Sequence, residues 1–149
     1  MIRVASLIGI ALMAMALWAQ TKRPWHVDRL CGRAQYVKRI PEKKNPNIYS
    51  DERRGLKAIR LDLYESNEGT PCCDGLRISD TAISGKRGQF EFKPDHAGSY
   101  WLVAKWNEQG YAVPVIYEPQ KKSATVCSEQ GIQIEGDGSV SWWETVTFD

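Results

Sequence analysis

From Leu30 onward the apolar residues alternate with polar ones and show no helical spacing. Phe90 and Phe92 share one side of Gln89 to Lys93, while Tyr100, Leu102, Ala104 and Trp106 share one side of Ser99 to Asn107. In Leu56 to Ser66, Ile59, Leu61 and Leu63 oppose Arg60, Asp62 and Tyr64. A period of two marks a strand with one buried face. The same reasoning predicts strands over Leu30 to Val37, Leu76 to Ser84, Tyr111 to Tyr117, Thr125 to Ile134 and Val140 to Phe148. Pro114 predicts an edge or a bulge, because proline cannot donate to a ladder. Turn residues separate the strands at Gly85 to Gly88, Pro94 to Gly98, Glu108 to Gly110 and Gly136 to Gly138. Lys38 to Gly55, rich in proline, asparagine and charge, reads as the longest loop. Its basic cluster (Lys38, Arg39, Lys43, Lys44) reads as solvated surface. Eight or so short strands with glycine-rich turns and no internal repeat imply one all-β sandwich or barrel.

The N-terminus departs from this pattern. Met1-Ile2-Arg3 is followed by an uncharged run from Val4 to Ala19, then by Lys22 and Arg23. The run is shorter than the roughly 20 residues a membrane span needs. It ends in small residues, Ala14-x-Ala16 and Leu17-x-Ala19, which is the layout of a cleaved secretory signal. The division predicted is residues 1–19 as signal peptide, 20–29 as an N-terminal extension and 30–149 as the sandwich. An uncleaved anchor is the alternative. Cleavage would leave no transmembrane segment and would direct the chain to the periplasm or the cell exterior. Only Arg3 among the 20 basic residues leaves with the signal, so 19 basic face 18 acidic residues in the remainder. A near-neutral domain has no global attraction for nucleic acid.

All four cysteines, Cys31, Cys72, Cys73 and Cys127, follow the signal. An even count in an exported chain reads as a disulfide framework. Three pairings are open. A bridge between neighbours closes a strained ring, so the expected pairing sends one of Cys72 and Cys73 to Cys31 and the other to Cys127. Zinc is a poor fit, because Cys72-Cys73 lacks the spacer of two to four residues that paired ligands require.

Gly88-x-Phe90-x-Phe92 and Ala97-Gly98-x-Tyr100-x-Leu102, preceded by the strand Leu56 to Tyr64, resemble the carboxypeptidase regulatory-like and Cna-B-like domains. The resemblance implies a single immunoglobulin-like or prealbumin-like (transthyretin-like) antiparallel β-sandwich of about seven to eight strands, stapled by disulfides. The close match covers about 15 residues, and motifs of this kind say little about function. The enzymes of that fold group do not carry over. The chain ends Thr147-Phe148-Asp149, where hydroxyisourate hydrolases end Tyr-Arg-Gly-Ser. Its two histidines, His26 and His96, form no His-x-His like that of the iron-binding intradiol dioxygenases. The last strand lacks the asparagine of a Cna-B isopeptide bond.

Catalytic signals are weak. Asp95 beside His96 sits in a turn, where aspartate usually bonds the backbone. No Gly-x-Ser-x-Gly elbow is present, and no metal or cofactor is expected. The aromatics are more informative. Trp142 and Trp143 cannot both face the core of a regular strand, and neither can Tyr100 and Trp101. Trp101, Trp142 and Trp143 are therefore candidate stacking platforms for a sugar, unless the Lys38 to Gly55 loop or the N-terminal segment covers them. The function expected is a secreted, non-catalytic module that binds a protein or polysaccharide of the cell envelope. The alternative is a purely structural envelope protein, and a hydrolase ranks below both.

Overall fold

The computed structural model describes residues 23–145. The predicted signal segment lies outside them, as does the end of the last predicted strand. Among the described residues ten strands form: β1 (Trp25–Val27), β2 (Leu30–Pro41), β3 (Tyr49–Gly55), β4 (Arg60–Glu65), β5 (Ile78–Ile83), β6 (Gln89–Phe92), β7 (Gly98–Trp106), β8 (Gln109–Tyr117), β9 (Gln130–Glu135) and β10 (Val140–Glu144). One sheet has the order β1-β8-β7-β4-β5. The other has the order β10-β9-β2-β3, with β6 also paired to β2. The chain is thus all-β, with two sheets closing on one core. Neighbouring strands are antiparallel except for two parallel pairs, β1 with β8 and β2 with β9.

The alternating residues fill the space between the sheets. Leu61, Leu63, Tyr100, Leu102, Ala104, Val113 and Val115 come from one sheet; Leu30, Ala34, Phe90, Phe92, Ile132, Ile134 and Trp142 come from the other. Each fully buried Leu, Ile, Val or Phe removes apolar surface worth about 1.5–3 kcal/mol. The turn before Phe90 has to be glycine. Gly88 has φ +85°, and a Cβ there would strike the Ala34 carbonyl oxygen. The turn before β8 is made instead by Asn107 and Glu108, both at positive φ, joining β7 to a β8 that starts two residues earlier than predicted. Pro114 lies where β8 has a free edge, since β1 joins β8 only from Val115 onward.

Lys38 to Gly55 is not a loop. β2 runs on to Pro41 and pairs with β3 in unbroken register, Gln35 opposite Gly55 through Pro41 opposite Tyr49. The polar, charged composition hid these strands because neither of their faces is buried here. A different segment does the covering. Residues 66–77 lie against the outer side of the first sheet, where the Trp101 indole Nε1 donates to the Thr70 carbonyl at 2.8 Å.

The expected cysteine pairing is also overturned. Cys31 bridges Cys127, with Cα atoms 5.2 Å apart, and Cys72 is bridged to its neighbour Cys73. Leu30 faces the core, so Cys31 faces outward from the second sheet, where the 3-10 turn Cys127–Glu129 meets it. Cys72 and Cys73 sit in the segment outside the first sheet. Sheets pack about 10 Å apart, and the thickness of the sandwich separates the two pairs. A disulfide persists in oxidising compartments, so the bridge fits an extracytoplasmic protein. Among the described residues no helix is long and apolar enough to cross a membrane.

One charge is buried on the outer side of the first sheet. Asp62 is fully shielded, yet burial, which pushes its carboxyl pKa up, is outweighed. Thr81 Oγ1 and Arg60 Nε donate to Oδ1 at 2.8 and 2.9 Å, and Lys105 Nζ lies 3.1 Å from Oδ2. The net effect holds the pKa below the usual 3.8. A carboxyl depressed in the folded state stabilises above its unfolded pKa, and that contribution is lost as pH falls through the folded value. Arg60 and Lys105 are half-exposed, so Asp62→Asn is expected to cost only about 1–2 kcal/mol at pH 7. Denaturant titrations at pH 7 and pH 3 should show the deficit shrinking at the lower pH. An equal deficit at both would remove the charge from the account.

Candidate functional site

The three candidate tryptophans have three different fates. Trp142 is 2% exposed and faces the core, its ring edge-on to Phe90 with centroids 6.5 Å apart. Trp101 points outward from the first sheet but is only 8% exposed, under residues 66–77. Neither is a platform for a ligand. Trp143 is half-buried on the outer face of the second sheet. β10 pairs regularly with β9, Trp142 opposite Ile132 and Trp143 opposite Gly131, so the two rings point to opposite faces.

The surroundings of Trp143 follow from the register. Its row across the sheet runs Trp143, Gly131, Arg33, Gln89. Gly131 has φ +156°, and a Cβ there would strike the Arg33 backbone, so the place beside the indole carries no side chain. The next row runs Ser141, Gln133, Gln35, Gly55. Gln35 Nε2 donates to Gln133 Oε1 at 3.3 Å, and Gln133 Nε2 donates to Glu135 Oε1 at 3.3 Å. The Trp143 Nε1 and Arg33 Nε donors have no hydrogen-bond partner. Such a buried donor costs about 1–3 kcal/mol when unmet. The face therefore presents part of the Trp143 ring, the Arg33 side chain and the Gln133 amide, with Gly131 and Gln35 buried between them. Sequence reasoning found the ring but missed the amides. Their signal was the alternation of Gln133 and Glu135 with Ile132 and Ile134.

A cleft of about 380 Å³ opens between β1 and the chain leading to β9 and gathers His26, Asp28, Glu118, Glu129 and Glu144. Four of these groups, His26, Asp28, Glu118 and Glu144, are committed to one another or to the fold. Asp28 accepts from the Ser123 and Thr125 hydroxyls. Burial raises its pKa, but these hydrogen bonds prevail and lower it. Glu144 accepts from the Trp142 indole at 3.2 Å, and exposed His26 lies 3.3 Å from Glu118. His96, the other histidine, is 3.7 Å from Glu65, while its carbonyl accepts from the Tyr100 hydroxyl at 2.6 Å. Among the described residues no three His, Cys, Asp or Glu side chains are grouped to hold a metal ion. No family model, curated protein or solved structure matches the chain.

Proposed function

We propose that this protein is a secreted, non-catalytic sandwich module, similar to the carboxypeptidase regulatory-like domains, that binds an envelope glycan on the outer face of its second sheet. The observation that carries the reading is Trp143, a half-buried tryptophan held by a regular strand on the outer face of the second sheet, with Arg33 beyond Gly131 in its row and Gln133 in the next. Sugar rings present C–H faces that stack on indole and hydroxyls that bond amides and guanidinium groups. Trp143, Gln133 and Arg33 supply both kinds of contact. A fixed strand holds them with little left to order on binding, which lowers the entropic cost of capture.

The test is retention of the oxidised domain on insoluble polysaccharides and whole sacculi. Trp143→Ala is expected to abolish retention while shifting stability by no more than about 1 kcal/mol, as for a position outside the core. Gln133→Ala should weaken retention less. A folded Trp143→Ala variant that is retained like the wild type removes the glycan face. The structural reading, an envelope protein without a ligand, then takes its place.

A further inference from the structure

The second sheet has a step at one end. β9 runs beside β2 only as far as Glu135, opposite Val37. The chain then turns back through Gly136 and Asp137 into β10, and Glu135 N–H donates to the Ser139 carbonyl at 2.9 Å. β2 continues to Pro41 accompanied by β3 alone. The step leaves a cleft of about 490 Å³. Gln133, Glu135 and Asp137 line one side of it, Arg39 and Asp51 line the other, and buried Val37 lies between them. Alternation along β9 and β2 puts Gln133, Val37 and Arg39 on the same face of the sheet as Trp143.

The polar groups of the cleft are of both signs and stand close to one another. Arg39 Nε lies 4.0 Å from Asp51 Oδ1. Glu135 accepts from Gln133 Nε2 at 3.3 Å and from Ser139 Oγ at 3.1 Å, and Asp137 accepts from the Ser139 N–H at 2.9 Å. Arg39, Asp51 and Asp137 are exposed, and Gln133 and Glu135 are half-buried, so all five remain open to a ligand. A cleft of one sign selects an ion of the other. Here carboxylate, guanidinium and amide lie side by side and offer donors and acceptors together. That combination suits a hydroxyl, which both donates and accepts.

The cleft is continuous with the face that carries Trp143, because Gln133 belongs to both. Trp143 on β10 is level with Arg33 on β2, and Arg39 lies six residues further along β2. The path from Trp143 over Gln133 to Arg39 therefore covers about 20 Å along the strands and about 10 Å across them, several times the length of one sugar. We propose that this path is one extended site and that its ligand is a neutral, linear polysaccharide. One sugar stacks on Trp143, and the hydroxyls of later sugars bond Gln133, Glu135 and Asp137 on one wall and Arg39 and Asp51 on the other. The proposal rests on the glycan reading of Trp143 and adds the charge and the length of what is bound. A short fragment meets only one part of the path, so affinity grows with chain length.

Calorimetric titration of the oxidised domain tests this, with soluble fragments two and six sugars long of whichever of chitin, cellulose and curdlan retains it. The longer fragment should bind at least about tenfold more tightly, the worth of one hydrogen bond to a charged group. Arg39 and Asp51 are exposed, so Arg39→Ala and Asp51→Ala should fold normally. In each the gain from length should largely disappear, whereas Trp143→Ala should weaken both fragments. Equal affinity for the two lengths, or a gain that both cleft variants keep, overturns the extended site and leaves Trp143 as a platform. Retention by acidic polymers alone, such as polygalacturonate, overturns the neutral class of ligand. No retention on any polymer, or a folded Trp143→Ala variant retained like the wild type, overturns the glycan reading itself and the extended site with it.

Discussion

Truncating Trp142 to alanine is expected to destabilise the domain by about 3–5 kcal/mol, the range for a large aromatic removed from a packed core. The ring is 2% exposed, edge-on to Phe90, and stands opposite Ile132 on β9. β10 is an outer strand, so its attachment depends on that ring and on the pairing with β9. Loss of the ring leaves a cavity between Phe90 and Ile132, and Glu144 loses the indole donor. In a domain of this size the expected fall in melting temperature is on the order of 15 °C. Calorimetry beside Trp143→Ala gives the contrast. Two adjacent tryptophans should differ several-fold in their cost to folding, with the ranking reversed for ligand binding. Similar losses for both would mean that the strand does not hold its alternation.

Replacing Cys31 and Cys127 together by serine is expected to cost about 2–5 kcal/mol. The bridge spans 96 residues of sequence, and the chain-entropy treatment puts a loop of that length near the top of the range. It pins the chain leading to β9 against β2, next to Gln130, whose amide donates to the Cys31 carbonyl at 2.8 Å. Non-reducing peptide mapping should recover Cys31 linked to Cys127 and find no free thiol. Recovery of Cys72 or Cys73 linked to either would contradict the arrangement described. A double-serine variant with unchanged urea midpoint would show that the bridge is incidental to stability.

The strands legible in the sequence were those whose core-facing apolar residues recur at every second position. β4, β6 and β7 show that period, although in β4 and β7 the outward Asp62, Trp101 and Val103 are buried as well, and their predicted limits differ from the observed ones by a few residues. β3 was illegible for the opposite reason. Tyr49 to Gly55 buries nothing, so no apolar period exists to read, and only its partnership with β2 makes it a strand. β1 is three residues long, too short to show any period. The cysteines show another limit. Their number was readable, but their pairing depended on which side of which sheet each one occupies, and that is a property of the assembled sandwich. Likewise the alternation at Trp142-Trp143 required one outward ring without saying which. For Trp101 the outward direction was compatible with burial, because residues 66–77 fold back over it.

The two parallel pairs have a consequence for the order in which this domain can fold. Arg33 to Val37 at the centre of the second sheet lies beside Gly131 to Glu135, and Trp25 to Val27 lies beside Val115 to Tyr117. Each pairing joins segments some 90 to 100 residues apart. Contacts of such separation form slowly, because the loop entropy is lost before the ladder rewards it. β1 has no partner until β8 has been made, and β2 meets β3 and β6 early but lacks β9 until nearly the whole chain has followed. The second sheet, and the Cys31–Cys127 bridge with it, can therefore be completed only once β9 and the turn before it are available.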